Sequence, residues 1–274
     1  MSRIVVLGST GMLGHKMLER LRLHYEDVIG LSRVEGLCTN DTIYMKNRLI
    51  VFRPDIIVNC VGLIKQRPQD AEESIQTNAL FPHFLQRVSQ DMGARLIHFS
   101  TDCVFSGKQG NYTEADTPDP GDLYGRTKLL GEVVDADNAL TIRTSIIGRE
   151  LTGGFGLLEW FLRQRDTIQG YTNAIFSGVT TNWLADAVVH IIERPSLSGL
   201  YQVAAQPVSK FNLLQMFRIV YDRWDIEINP TETFPCDRSL LAGKFQLAAG
   251  IVPQNLFDLL TEQREQYKES GYAL

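Results

Sequence analysis

Tyr124 and Lys128 stand four residues apart in Leu123-Tyr124-Gly125-Arg126-Thr127-Lys128. At that spacing a helix carries both side chains on one face. A lysine ammonium beside a phenol favours the phenolate and lowers a pKa that is about 10 in water, so the tyrosine can exchange a proton near neutral pH. The same spacing also describes an ordinary amphipathic helix edge, and the pair acquires chemical meaning only from its surroundings.

Upstream, the β-rich run Arg95 to Phe99 leads into Ser100-Thr101-Asp102-Cys103-Val104-Phe105. Ligands of open α/β sheets bind at the C-terminal ends of strands. A hydroxyl such as that of Thr101 can donate to a substrate carbonyl oxygen there and stabilise the charge that develops when hydride reaches the carbon. At the N-terminus, a strand over Arg3 to Leu7 is followed by Gly8-Ser9-Thr10-Gly11-Met12-Leu13-Gly14 and then by helical periodicity through Leu18 and Leu21. Glycines in such a turn let a diphosphate approach the backbone and rest on the amide dipoles of a helix start. A second strand, Val28 to Leu31, ends in Ser32-Arg33, where NAD-selective folds commonly place an acid. A hydroxyl and a guanidinium suit a 2'-phosphate instead, which favours NADPH and leaves NADH open; an ordinary surface arginine would look the same. The expected cofactor contacts are Gly8, Thr10, Gly11, Met12, Leu13, Gly14, Ser32 and Arg33, with Cys60, Val61 and Gly62 at the end of a third strand; Tyr124 and Lys128 join them only on the family resemblance given below.

That third strand, Asp55 to Gly62, is nearly continuously apolar, as a parallel strand covered on both faces requires. A helix around Tyr44 to Phe52, closed by Pro54, precedes it, and a polar stretch, Lys65 to Glu73, follows. The next helix spans Ser74 to Met92 and stops at Gly93; Asn78 inside it is either a surface accident or a hydrogen-bonding link to loops near the cofactor. Ser106 to Asp122 reads as an exposed loop. Further on come a core strand over Leu140 to Ile147 and Gly153-Gly154-Phe155-Gly156, which reads equally as a closing loop or a plain turn. Helices follow over Leu157 to Arg165, Thr180 to Glu193, Lys210 to Tyr221 capped by Ser209, and Leu256 to Tyr267, with a strand at Gly199 to Ala204. Arg238 is either a diphosphate clamp or a surface arginine, and His190 reads as structural. The expected fold class is α/β, a Rossmann-type doubly wound, mainly parallel sheet with a smaller α/β substrate-binding lobe. Residues 1–150 form the dinucleotide-binding part and 151–274 mainly the substrate lobe, interleaved with the first.

A net charge of -5 with no dense basic run argues against nucleic acid as a partner and leaves a small molecule. The four cysteines are scattered, without metal-ligand spacing, and read as reduced thiols; no metal is expected. Ile4 to Leu7 is too short for a signal peptide and no stretch approaches eighteen apolar residues, so no membrane association and a cytoplasmic location are expected. A homodimer stays open.

Taken together, the glycine turn, the Ser-Thr-Asp strand end and Tyr-x-x-x-Lys resemble the extended short-chain dehydrogenase/reductase family. The order Ser100-Thr101-Asp102-x-Val104-Phe105, Tyr124-Gly125-Arg126-Thr127-Lys128-Leu129-x-Gly131-Glu132 and Arg143-Thr144-Ser145 is similar to its dTDP-4-dehydrorhamnose reductase branch. The resemblance implies a triad of Thr101, Tyr124 and Lys128. In it Tyr124 gives a proton to a 4-keto oxygen, Thr101 bonds it, and Lys128 supplies electrostatic support and holds the nicotinamide ribose. It also implies NADPH-dependent reduction, at C4, of a nucleoside-diphosphate 4-keto-6-deoxy sugar, in nucleotide-sugar biosynthesis for surface polysaccharide. Two positions that line the sugar pocket in relatives differ: Cys103, beside Asp102, stands for a tyrosine, and Ile146 for a tryptophan. An epimerase or epimerase/reductase, in which a cysteine at the matching place acts beside a histidine, is one alternative. Here no histidine lies between His98 and His190, so Cys103 reads as a pocket-wall residue. A non-catalytic nucleotide-binding regulatory subunit is the alternative of another class.

Overall fold

The computed structural model describes residues 2–65 and 70–270; part of the polar stretch after Lys65 lies outside the described residues. The first half runs β1 (Ile4–Leu7), α1 (Met12–His24), β2 (Val28–Leu31), α2 (Thr42–Phe52), β3 (Ile56–Asn59), α3 (Ala71–Ser74), a π turn (Ile75–Leu80), α4 (Phe81–Asp91), β4 (Arg95–Thr101), α5 (Leu123–Leu130) and β5 (Ala139–Thr144). The second half begins with β6 (Ile146–Ile147), α6 (Leu157–Leu162), β7 (Asp166–Tyr171), β8 (Ala174–Phe176), β9 (Val179–Thr180) and α7 (Thr181–Ile192). It continues through β10 (Gly199–Gln202), β11 (Val208–Ser209), α8 (Lys210–Val220), β12 (Ile226–Thr231), β13 (Cys236–Asp237), α9 (Gly243–Ala249) and α10 (Leu256–Glu269).

Six strands form one parallel sheet in the order β10-β5-β4-β3-β1-β2. Side-chain alternation along β1 explains the layering: Ile4 and Val6 face one core with Met17 and Leu21 of α1 and Leu184 and Val188 of α7, while Val5 and Leu7 face another with Met45 of α2 and Phe81 and Leu85 of α4. All four β1 side chains are fully buried, each contributing about 1.5–3 kcal/mol of apolar transfer. The chain passes from β2 on one side of β1 to β3 on the other, and that reversal opens a crevice at the strand C-termini.

Local chemistry sets the element ends. Asp41, Asp122, Ser209 and Asn255 cap α2, α5, α8 and α10 through side-chain oxygens that accept from backbone N–H groups. Gly93, at φ +67, closes α4 in the left-handed region.

Several bounds differ from expectation. The helix expected from Ser74 starts at Ala71 and runs to Asp91 through the π turn. β3 ends at Asn59, leaving Cys60 to Gly62 as loop. The strand expected over Leu140 to Ile147 divides at Ser145: β5 stays in the main sheet, while β6 pairs with β9. β10 lies beyond residue 150 yet completes the main sheet beside β5. The segment 106–122 is not wholly exposed, because Tyr112 is 4% exposed, stacks on Phe105 at 4.0 Å and bridges to Leu240. Two smaller sheets, β11-β8-β13 and β12-β7, come from the second half.

Candidate active site

The glycine turn is built by close approach. Gly8 adopts φ +79, and a Cβ on Gly14 would lie 2.0 Å from the Gly8 carbonyl oxygen, so α1 can start this near the turn only with glycine there. The Gly8 and Ser9 N–H groups donate to Leu31 O at 2.8 and 3.1 Å, which sets the end of β2 against the turn. Gly11 caps α1 with no side chain, and no acid occupies the first helical turn, so the amide dipoles there are not neutralised locally. Thr10 and Gly11 are exposed and Met12 is half-buried. Leu13 is buried in the α1-side core and reaches the turn only through its backbone. A Cβ on Gly8 would meet Cys60 O at 3.0 Å, so the Cys60-Val61-Gly62 loop passes directly over the turn. Burial pushes the Cys60 thiol far above its usual range, with Lys128 opposing.

Thr101 ends β4. Its Oγ1 donates to Asp102 Oδ1 at 3.1 Å and accepts from the Cys103 N–H at 3.1 Å. α5 presses its first turn onto this strand end: a Cβ on Gly125 would lie 2.3 Å from Cys103 O. That contact sets the first turn of α5, with Tyr124, beside the Thr101 end of β4. Burial raises the Tyr124 pKa well above the phenol range; Cys103 and then Asp102 add to the rise, and a hydrogen bond with Thr101 opposes it. This corrects the expectation of a phenol acidified by Lys128. The ammonium instead donates to Phe99 O at 2.6 Å, and burial draws its pKa down to about 8 against the pull of Glu132 and Cys60.

Behind these groups lies a buried ion pair that sequence reading assigned no role. Arg143 donates from Nε to Glu132 Oε1 and from Nη2 to Glu132 Oε2, both at 2.7 Å, and Ser100 Oγ donates to Oε1 at 2.7 Å. It ties β4, β5 and the end of α5 together. Both residues sit in motifs quoted above, which was the available signal. Asn78 is a link rather than a surface accident: it accepts from Leu63 N at 2.9 Å and donates to Leu63 O at 3.0 Å and Thr127 Oγ1 at 3.3 Å. It thereby joins the loop after β3 to α5.

The small sheet supplies the other wall. In β8, Ile175 pairs with Ser209 of β11 on one side and Asp237 of β13 on the other, so Lys210 and Arg238 follow from its two edges. Arg238 donates from Nε to Phe105 O at 2.8 Å and from Nη1 to Cys103 Sγ at 3.4 Å. The half-buried Lys210 holds its ammonium 4.2 Å from the Phe176 ring centroid. Burial lowers Lys210 to about 8, with Asp102 and Cys103 opposing and Lys65 assisting. Burial and Asp102 push the Cys103 thiol up to about 12, against Lys65 and Arg238. Lys65, Lys210 and Arg238, from separate segments, thus all act electrostatically on Cys103, and Arg238 touches it directly. Lys210 escaped sequence reading because a lysine at the first position of a capped helix looks ordinary. Ser32 and Arg33 lie at the end of β2, whereas Ile146 is half-buried in β6, packed on the α1-side core. Among the described residues no cluster could hold a metal ion, and no helix is long and apolar enough to cross a membrane.

A family model described as the RmlD substrate binding domain matches residues 2–239. The chain belongs to that family. Within reach of it are a spore coat polysaccharide biosynthesis protein of Bacillus subtilis, 29% identical over 213 residues, covering 74% of each chain, and a dTDP-4-keto-6-deoxy-D-glucose reductase of Streptomyces niveus, 29% identical over 230 residues, covering 80% of this chain and 78% of the relative. The fold matches the crystal structure of dTDP-4-dehydrorhamnose reductase from Bacillus anthracis in complex with NADP. That comparison has a TM-score of 0.84 at 22% identity and covers 98% and 99% of the two chains. The family and the fold agree with the mainly parallel Rossmann-type sheet expected from the sequence.

Proposed function

We propose that the chain is an NAD(P)H-dependent reductase of a nucleoside-diphosphate 4-keto-6-deoxy sugar, acting at C4 in nucleotide-sugar biosynthesis for a surface polysaccharide. The observation that carries this reading is the seating of α5, with Tyr124 and Lys128, on the end of β4 at Thr101: Gly125 packs on Cys103 O and Lys128 donates to Phe99 O, beside the Cys60 loop that passes over the glycine turn. The names of the reductase relatives and of the spore coat protein support the substrate class and the pathway.

A nicotinamide dinucleotide fits this chain: the turn has no room for a Cβ at Gly14, and the start of α1 offers unneutralised amides. Gly8 to Gly14 would hold its diphosphate, Ser32 and Arg33 its adenosine ribose, and Cys60 to Gly62 and Lys128 its nicotinamide half. When bound, it supplies the reducing equivalent to the C4 carbon. The remaining work belongs to side chains. Thr101 and Tyr124 donate to the C4 oxygen and orient the carbonyl, and the raised Tyr124 pKa keeps the phenol protonated until that oxygen gains negative charge. Tyr124 then gives up its proton to that oxygen, while Lys128 serves to hold the nicotinamide half in place. A thiol held near 12 stays protonated, which favours Cys103 as pocket wall over an epimerising base.

The test is NADPH and NADH consumption against a panel of UDP-, dTDP- and GDP-linked 4-keto sugars, with product stereochemistry read by NMR. The wild type is expected to reduce at least one of them to a single C4 alcohol, and Tyr124→Phe to bind dinucleotide while turning over about 10²–10⁴-fold more slowly. Turnover undiminished in that variant would remove Tyr124 as the acid. Dinucleotide binding without reduction of any panel member, together with a co-purifying enzyme, would favour the regulatory-subunit reading.

A further inference from the structure

The turn that leaves β2 contains an acid that Ser32-Arg33 conceals in the sequence. Glu35 Oε2 accepts from the Ser32 backbone N–H at 2.8 Å and also from the Ser32 hydroxyl. Ser32 is 3% exposed beneath this carboxylate, while Glu35 itself faces solvent. Arg33 is engaged too, with Nη2 3.2 Å from Glu73 Oε1. Both groups suited to a 2'-phosphate therefore already face a carboxylate.

The arrangement is built into the backbone. Gly36 N donates to Arg33 O at 3.2 Å and Leu37 N to Ser32 O at 2.8 Å. Gly36 takes φ +90, and a Cβ there would meet Tyr44 Oη at 2.6 Å. Arg48 Nη2 holds the Glu35 carbonyl at 2.8 Å. Because Leu31 O receives the Gly8 and Ser9 N–H groups, this turn lies against the glycine turn, where an adenosine ribose would rest. Glu35 also falls about 20 residues past the glycines, the usual distance for the acid that accepts ribose hydroxyls in dinucleotide folds.

We propose that Glu35 sets the discrimination between NADP(H) and NAD(H), its carboxylate occupying the Ser32 donors that a ribose 2'-phosphate needs and accepting from a free 2'-hydroxyl. This rests on the dinucleotide site of the proposed function. The Ser32 bonds hold the Glu35 carboxyl below its usual range, so it stays charged at neutral pH. A 2'-phosphate, with a charge of about -1.5 to -2, must then displace a like charge before Ser32 and Arg33 can receive it. A 2'-hydroxyl meets an acceptor already in place.

The experiment measures NADP+ and NAD+ binding to the purified full chain by calorimetry, without any sugar. Glu35→Gln and Glu35→Ala are each expected to tighten NADP+ at least about tenfold relative to NAD+. Arg33→Ala is expected to weaken NADP+ selectively. An NADP+/NAD+ affinity ratio in both Glu35 variants within twofold of the wild type overturns the proposal while leaving the dinucleotide site standing. A wild type that binds neither dinucleotide overturns both.

Discussion

The Lys128 ammonium lies 2.6 Å from the carbonyl oxygen of Phe99, two residues before Thr101, so α5 is tied to β4 by the cation expected to face Tyr124. Burial lowers this lysine to about 8, whereas in the unfolded chain it returns to about 10.5. Between those values the unfolded state binds the proton more tightly, so folding is penalised below about pH 8 and the penalty lifts as pH rises to about 10.5. Lys128→Met is therefore expected to be more stable than the wild type at pH 7, by up to about 3 kcal/mol, with the difference shrinking by pH 10. Urea denaturation at both pH values checks this. The same variant should lose at least about 100-fold in kcat.

Glu132 and Arg143 predict a non-additive pair. Each side chain is only 4% exposed, so removing one strands a buried charge. Glu132→Leu or Arg143→Met alone is expected to cost about 3–5 kcal/mol, and the double variant less than either single one. Thermal melts of the three proteins decide it; costs that simply add would mean that the pair is not coupled.

The positions that follow steric and periodic rules were legible in the sequence. β2 was read with its observed ends, and β1, α2, α8 and α10 within one or two residues, because apolar periodicity and caps such as Ser209 act locally. Thr101, Tyr124 and the glycine turn were legible as types at fixed spacing. β7 and β12 were not: they pair in parallel across some sixty residues, their outward positions are polar, and Pro230 lies inside one of them. α9 lacks a side-chain cap and went unread. Lys210 and Glu35 escaped for another reason, since their chemistry depends on which segments the fold brings beside them. The direction of the Tyr124 shift was misread because spacing shows proximity along a helix, whereas burial and the Phe99 carbonyl decide where the ammonium goes.

Gly125 separates Tyr124 from the rest of its helix by a contact rather than a conformation. A methyl group there would sit 2.3 Å from Cys103 O and 2.8 Å from the Pro120 side chain. Gly125→Ala must therefore lift the first turn of α5 off the end of β4. The expected result is a loss of about 1–3 kcal/mol in stability and, because Tyr124 moves relative to Thr101, about 10²-fold in kcat, with dinucleotide affinity nearly unchanged. Steady-state kinetics beside calorimetric binding separates the two effects.

Lys210 should make substrate affinity depend on pH. Burial brings its ammonium down to about 8, so the cation is present at pH 7 and is lost as pH rises through that value. With Lys65 and Arg238 it makes the electrostatic surroundings of Cys103 positive, which suits an anionic nucleotide sugar. KM for the sugar nucleotide is expected to rise at least about tenfold between pH 7 and pH 9.5, with a smaller change in kcat. Lys210→Arg, whose guanidinium stays charged, should flatten that rise. Lys210→Met should show the high KM already at pH 7. An unaltered KM profile in Lys210→Met would remove Lys210 from substrate binding and leave Arg238 as the cation that meets the diphosphate.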